Sequence, residues 1–251
     1  MKTIYRLVVM IFAVVALLAL SMPVQASKMD NSIESSAKKS YVFQTYLKAD
    51  DIKVKSEDGA VTLTGTVSEE SHKSLAQDTV ADIPGVKSVD NKLEVKGMPP
   101  AKMSDAWITA KVKTMFLFHR NVSAMTEIST KDGIVILQGK AADEAQKDLT
   151  TEYAKDVEGV KGVKNEMTVG KIAKKKQTVG QEIDDASITA QVKMTLLYHR
   201  STSALNTSVK TKHGVVTLSG KAKSGAEMDL AAKFANDVNG VKSVNNRMTI
   251  N

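Results

Sequence analysis

Residues 59–65 read GAVTLTG, residues 133–139 read GIVILQG, and residues 214–220 read GVVTLSG. Between the flanking glycines of each copy two apolar side chains alternate with other residues, Val61 and Leu63, Val135 and Leu137, Val216 and Leu218. That period of two is what a half-buried strand requires. A further glycine follows each copy after 19 residues, so Gly59, Gly65 and Gly85 match Gly133, Gly139 and Gly159, and then Gly214, Gly220 and Gly240. One punctuation written three times identifies a repeat protein before any local element is assigned.

Working outward, the residues before each first glycine alternate as well: Ile52 and Val54, Ile128 and Thr130, Val209 and Thr211. With Asp58-Gly59, Asp132-Gly133 and His213-Gly214 at the turns, each pair of strands is predicted to form a β-hairpin. Past the second glycine the period becomes helical: Ser71, Leu75, Thr79 and Ile83; Ala145, Leu149, Tyr153 and Val157; Ala226, Leu230, Phe234 and Val238. The third glycine ends that helix as a C-cap, and Val86-Lys87-Ser88-Val89 and its two counterparts open a last strand. A helix of about four turns between strands two and three makes those strands parallel neighbours or near neighbours.

Each module also begins with a helix. Ile108, Val112 and Phe116, and Ile188, Val192 and Leu196, step by four, with Asp105 and Asp185 near the N-caps. In the first module Ile33, Ala37 and Tyr41 keep the step, but Ser35, Ser36, Lys38, Lys39 and Ser40 weaken the helix. The expected fold is α+β: three tandem α-β-β-α-β modules, each a small three-stranded mixed sheet packed by two helices. They occupy residues 31–95, 104–169 and 184–251, joined by a connector at 96–103 stiffened by Pro99-Pro100 and a basic linker at 170–183. A module of about 65 residues has a marginal core, so contact between modules is expected to add stability.

At the N-terminus Lys2 and Arg6 flank the entry to the apolar run Leu7 to Leu20, and a small-residue end follows at Val24-Gln25-Ala26. This is the order of a bacterial secretory signal at residues 1–26, cleaved after Ala26, which places the mature chain in the periplasm. The run is shorter than the roughly 20 residues of a membrane-spanning helix, and Pro23 stops it; its other reading is an uncleaved anchor.

Composition narrows the chemistry. The 251 residues are 42% apolar and 25% charged, which is globular, and they include no cysteine. That removes disulfides, thiolate metal sites, cysteine nucleophiles and a lipid-bearing N-terminal cysteine. With four histidines and no H-E-x-x-H, G-x-S-x-G, P-loop or dinucleotide glycine pattern, the expectation is a non-enzymatic protein with no cofactor and no metal.

The pattern G-x-V-x-L-x-G, its 19-residue gap, then G-V-K-x-V and an asparagine (Asn91, Asn165, Asn246) resembles the BON domain family. The whole is similar to the osmotically inducible periplasmic type, here with three modules. The resemblance implies envelope maintenance under osmotic stress, interaction with anionic phospholipid surfaces and, for some members, chaperone-like help to secreted or outer-membrane proteins. It implies no catalysis. Permanent anchoring does not carry over, because the lipid-anchored relatives have a cysteine that this chain lacks.

The formal charge of +7 is unevenly placed: the first two modules are mildly acidic, while residues 170–251 are basic. Lys171, Lys174, Lys175 and Lys176 cluster in the second linker. Near an anionic bilayer each contributes about 1 kcal/mol, enough for reversible, salt-sensitive adsorption; the other reading is a solvated, solubilising spacer. His119-Arg120 and His199-Arg200 recur at the ends of two first helices, where cations complement the helix dipole or arginine contacts a head group or carboxylate. The two histidines form no metal site unless docking of the modules unites them. Trp107, the single tryptophan, suits a membrane interface or packing against a neighbouring module. The lipid-contact candidates are thus Lys171, Lys174, Lys175, Lys176, Arg200, Trp107 and Arg120. The expected partner is an anionic phospholipid surface, with no role for nucleic acid. The alternatives are unfolded envelope proteins held by exposed apolar surface, and the cell-wall polymer.

Overall fold

The computed structural model describes residues 22–122, 126–170, 182–202 and 206–250, with side chains from residue 28 onward. The predicted signal run Leu7 to Leu20 and the lysines of the second linker lie outside the described residues. The first module comprises helices α1 (Met22–Lys39) and α2 (Tyr41–Thr45), strands β1 (Asp51–Glu57) and β2 (Ala60–Val67), helix α3 (Glu70–Ala81) and strand β3 (Ser88–Val95). The second has α4 (Asp105–Phe118), β4 (Glu127–Lys131), β5 (Ile134–Gln138), β6 (Lys140–Ala141), α5 (Glu144–Lys155), β7 (Gly162–Asn165) and β8 (Thr168–Val169). The third has α6 (Asp185–Tyr198), β9 (Thr207–Lys212), β10 (Val215–Ala222), α7 (Gly225–Asn236) and β11 (Ser243–Ile250). The predicted cleavage point after Ala26 falls within α1.

Each sheet is three-stranded and mixed. In the first, β2 is central, antiparallel to β1 and parallel to β3, with Val61 opposite Val89 and Leu63 opposite Asn91. The crossover helix between the last two strands imposes the parallel pairing. The second module interrupts both parallel strands, at Gly139 and at Glu166–Met167, leaving a separate two-stranded β6–β8 pair. The crossover helices are 12 residues each, a little over three turns rather than about four.

Two polar devices recur in every module. An aspartate of the first helix, at its first residue in modules two and three and inside α1 in module one, reaches its own hairpin turn: Asp105 accepts from the Asp132 and Gly133 amides at 2.7 and 2.8 Å, and Asp185 from His213 and Gly214 at the same distances. Asp30 does likewise with Asp58 and Gly59, and its carboxyl lies below the usual range, mainly through the Ser56 hydroxyl. The asparagine of the last strand fastens that strand to the crossover helix. Asn165 donates to the Lys147 carbonyl at 2.9 Å and accepts from the Met167 amide at 2.9 Å; Asn91 and Asn246 make the same pair. Asn165→Ala is expected to cost about 1–3 kcal/mol, since it leaves the half-buried Met167 amide without its acceptor and unties the last strand from the crossover helix. Urea unfolding followed by circular dichroism measures it, and an unchanged midpoint would show the fastening to be dispensable.

The modules do not hang as separate beads. Helix α6 is buried on almost every side, through Ile188, Thr189, Ala190, Gln191, Val192, Met194, Thr195, Leu196 and Tyr198. Helix α3 of the first module packs along it, with Lys193 Nζ 2.6 Å from Asp82 Oδ2, and α4 of the second module also touches it. The weak first helix of module one explains how that docking arises. Ser40 breaks it, returning its hydroxyl to the Ala37 carbonyl at 2.8 Å, as serine does when it competes with helical bonding. Ile33 and Ala37 stay buried in the module, while Tyr41 opens the new short helix. The amides freed by the break go to module three: Tyr41 donates to Asp184 Oδ2 at 2.7 Å and Val42 to Ser187 Oγ at 3.0 Å.

Candidate functional site

The cleft with the most developed lining lies where the three modules and the first connector meet. It encloses about 370 Å³. Its walls are Glu69 and Glu70 from the start of α3, Lys96 to Lys102 of the connector, Trp107, Lys111 and Thr114 along one face of α4, and Tyr198 from the end of α6. Ser104 caps α4 by accepting from the Trp107 amide at 3.2 Å, which starts the helix at Asp105 and sets the indole in its first turn. A step of four then places Lys111 above the indole.

The Lys111 ammonium sits between two aromatic faces, 4.1 Å from the Trp107 ring centre and 4.8 Å from that of Tyr198. It also lies 3.3 Å from Glu158 Oε2. Burial pushes the Lys111 amine down, with the bond to Glu158 opposing the shift. Burial raises the Tyr198 phenol, and the negative fields of Glu69 and Glu70 add to it. Over this cleft Met98 stands 95% exposed, with Pro99 and Pro100 holding the connector extended. An apolar tip thus lies between Lys96 and Lys102, beside a cation–aromatic stack.

The other candidate residues lie elsewhere. Arg120 and Arg200 flank the junction of modules two and three. The Arg120 guanidinium is turned onto main-chain carbonyls past the end of α7, those of Asn236, Val238 at 3.2 Å and Val241 at 2.8 Å. Arg200 is the more open, its Nε 3.7 Å from Asp156 Oδ1 and its side chain 56% exposed. The two histidines do not face solvent at their helix ends: His119 and His199 are 3% and 1% exposed. Each bonds an aspartate of the other module, and the rings meet, with Nε2 atoms 3.3 Å apart. Docking has united them, which sequence reasoning treated as remote. Among the described residues no group of three histidines, aspartates or glutamates could hold a metal ion.

Their aspartate partners went unread, although a signal was present. Asp82, Asp156 and Asp237 each stand three residues before the third glycine. The last two face the histidines of the opposite module, whereas Asp82 faces Lys193. Among the described residues no helix is long and apolar enough to cross a membrane.

The model of the BON domain matches residues 29–97, 104–171 and 184–251. The Osmotically-inducible protein Y of Escherichia coli (strain K12) is 38% identical over 146 residues, 57% of this chain and 71% of that protein. The Outer membrane lipoprotein DolP of Haemophilus influenzae is 34% identical over 113 residues, 45% of this chain and 56% of its own length. Among solved structures, CdsD, a structural protein of the Type III secretion system of Chlamydia trachomatis, is 15% identical with a TM-score of 0.24, covering 84% of this chain and 90% of that one.

Proposed function

The chain belongs to the BON domain family, and from that premise we propose that it is a non-enzymatic periplasmic protein that maintains the envelope under osmotic stress by binding anionic phospholipid surfaces. The relatives' names support the setting, one osmotically inducible and one an outer-membrane lipoprotein. The observation that carries the lipid reading is the connector: Met98 stands out between Lys96 and Lys102, above the Trp107 cleft. An apolar tip ringed by lysines gains both from shallow insertion and from attraction to anionic head groups. Glu69 and Glu70 on the opposite rim weaken the attraction and favour a reversible contact. The lysines of the second linker and exposed Arg200 add positive charge without insertion.

Co-flotation of the mature chain from Ser27 with vesicles tests this. Binding to phosphatidylglycerol-containing vesicles is expected at low salt, with none to zwitterionic vesicles, and a loss of about tenfold or more at high salt. A variant with Lys171, Lys174, Lys175 and Lys176 changed to glutamine should bind about tenfold more weakly or worse. Absence of binding to either vesicle would sink the reading. It would also promote the second one, a holdase for secreted or outer-membrane proteins. Sheet edges favour that alternative: among the described residues the outer strands β3 of the first module and β11 of the third each pair with one neighbour. Protection of an unfolding client at high salt, where vesicle binding has gone, would identify it.

A further inference from the structure

Modules two and three meet through an approximate two-fold exchange. The Arg120 amide donates to the Asp237 carbonyl at 2.9 Å, and the Arg200 amide to the Asp156 carbonyl at 2.8 Å. Between these bridges, His119 Nδ1 lies 3.1 Å from Asp237 Oδ2, His199 Nδ1 lies 2.9 Å from Asp156 Oδ2, and the two Nε2 atoms lie 3.3 Å apart. These are three contacts between atoms that each carry a lone pair, so each needs one hydrogen. Two neutral imidazoles supply only two ring N–H groups. Both carboxyl groups serve as acceptors here, Asp237 from the Tyr153 hydroxyl at 2.8 Å and the Asn121 amide, Asp156 from the Ser201 hydroxyl, and an ionised carboxylate has no hydrogen to give.

From this count we infer that modules two and three dock around one extra proton, shared along the His119–His199 axis, so that their docking is a proton-dependent switch. The surroundings suit a single positive charge. Asp156 and Tyr153 face the pair from α5 and its end, and Asp237 from the end of α7. Arg200 lies beyond Asp156, while the Arg120 guanidinium is turned away onto carbonyls. Phe234 stacks on the His199 ring at 3.6 Å, and Tyr153 lies 4.3 Å from the His119 ring, so aromatic faces cover the cation. A second proton would set N–H against N–H across 3.3 Å. Burial pushes the His199 imidazole below its ordinary value and so works against charge on the pair, with the Asp156 bond opposing the shift. A metal ion in the proton's place would find two nitrogens, half of a tetrahedral set.

The consequence is a bell-shaped dependence on pH. Separated, the rings are ordinary histidines with a pKa of about 6.5. The separated pair then holds close to two protons at pH 5 and close to none at pH 8, against one in the docked pair. Docking therefore takes up a proton on the alkaline side of 6.5 and releases one on the acid side. It is strongest near pH 6.5 and about eightfold weaker at both pH 5 and pH 8. His72 and His213 lie away from this junction, the His72 ring on Asp50 and the His213 main chain on Asp185 of their own modules.

The absence of cysteine allows clean labelling. Spin labels at Lys140→Cys and Lys221→Cys, both exposed, report the distance between modules by pulsed dipolar spectroscopy. In the urea concentration that half-separates the modules at pH 6.5, the separated fraction should rise on moving to either side. In His199→Gln a single ring remains against Asp237, and the rise toward pH 5 should vanish. Long-range proton–nitrogen spectra of the unmutated chain at pH 7 should show both Nδ1 atoms protonated and both Nε2 shifts intermediate. Docking that ignores pH or strengthens steadily with it, two fully neutral rings, or a stoichiometric bound metal ion would each overturn the proposal.

Discussion

Gly220→Ala is expected to unfold the third module's hairpin, at a cost of about 3–5 kcal/mol. Gly220 has φ +122, and a Cβ built there would stand 1.9 Å from the Asn206 carbonyl oxygen. That oxygen is main chain at the start of the paired strand, so the overlap is relieved only by parting β9 from β10. Gly65 repeats the geometry, its Cβ meeting the Asp51 carbonyl at 1.9 Å. The comparison that isolates the overlap is Gly97→Ala. Gly97 also has positive φ, +77, but nothing lies within 4 Å of its Cβ, so strain alone costs about 1 kcal/mol. Urea midpoints followed by circular dichroism separate the two; equal losses would show that backbone conformation, and not the approach of the neighbouring strand, demands the glycine.

That glycine also marks how far a sequence can be read. Val216 and Leu218 lie between the two glycines of β10 and are fully buried, as their alternation requires, and the helix after Gly220 forces the parallel β10–β11 pairing. Local periodicity and turn chemistry carry such features because each is settled within a few residues of chain. The break at Ser40 was visible only as weak helix propensity. Its purpose depends on Asp184 and Ser187, more than 140 residues away. The same holds for His119 and His199. A histidine at a helix end reads as a dipole complement until a partner module removes it from water. What turns the pair inward is the docking surface, which a period of 3.6 does not encode. Trp107 was legible as an amphipathic anchor, but the stack with Lys111 and Tyr198 needs a residue from the third module. The matched aspartates before each third glycine were a sequence signal of docking: each caps its own crossover helix through the backbone, while its side chain reaches a neighbouring module.

Tyr46→Ala tests whether the three modules share one stability. Tyr46 follows the short helix created by the break at Ser40 and touches every module at once. Its ring packs edge-on against Tyr41 at 5.6 Å and Phe118 of the second module at 5.4 Å. Its hydroxyl lies 3.3 Å from both the Leu117 carbonyl and Gln191 Oε1 of the third, and burial pushes the phenol well above its ordinary value. Gln191 is itself fully buried, and its Nε2 is spent on the Ser187 carbonyl at 3.0 Å, so loss of the tyrosine strands its oxygen. Removing a half-buried aromatic that also satisfies a buried acceptor costs about 2–4 kcal/mol. The size matters less than where the loss falls. Modules this small are marginal alone, and in the unmutated chain the first module is expected to unfold together with the third because it leans on α6. Without Tyr46 the first module keeps its own sheet but loses its hold on the other two. Calorimetry should then resolve a separate, earlier transition. A single transition displaced as a whole would mean that Asp82–Lys193 and the α3–α6 contact suffice to keep the modules cooperative.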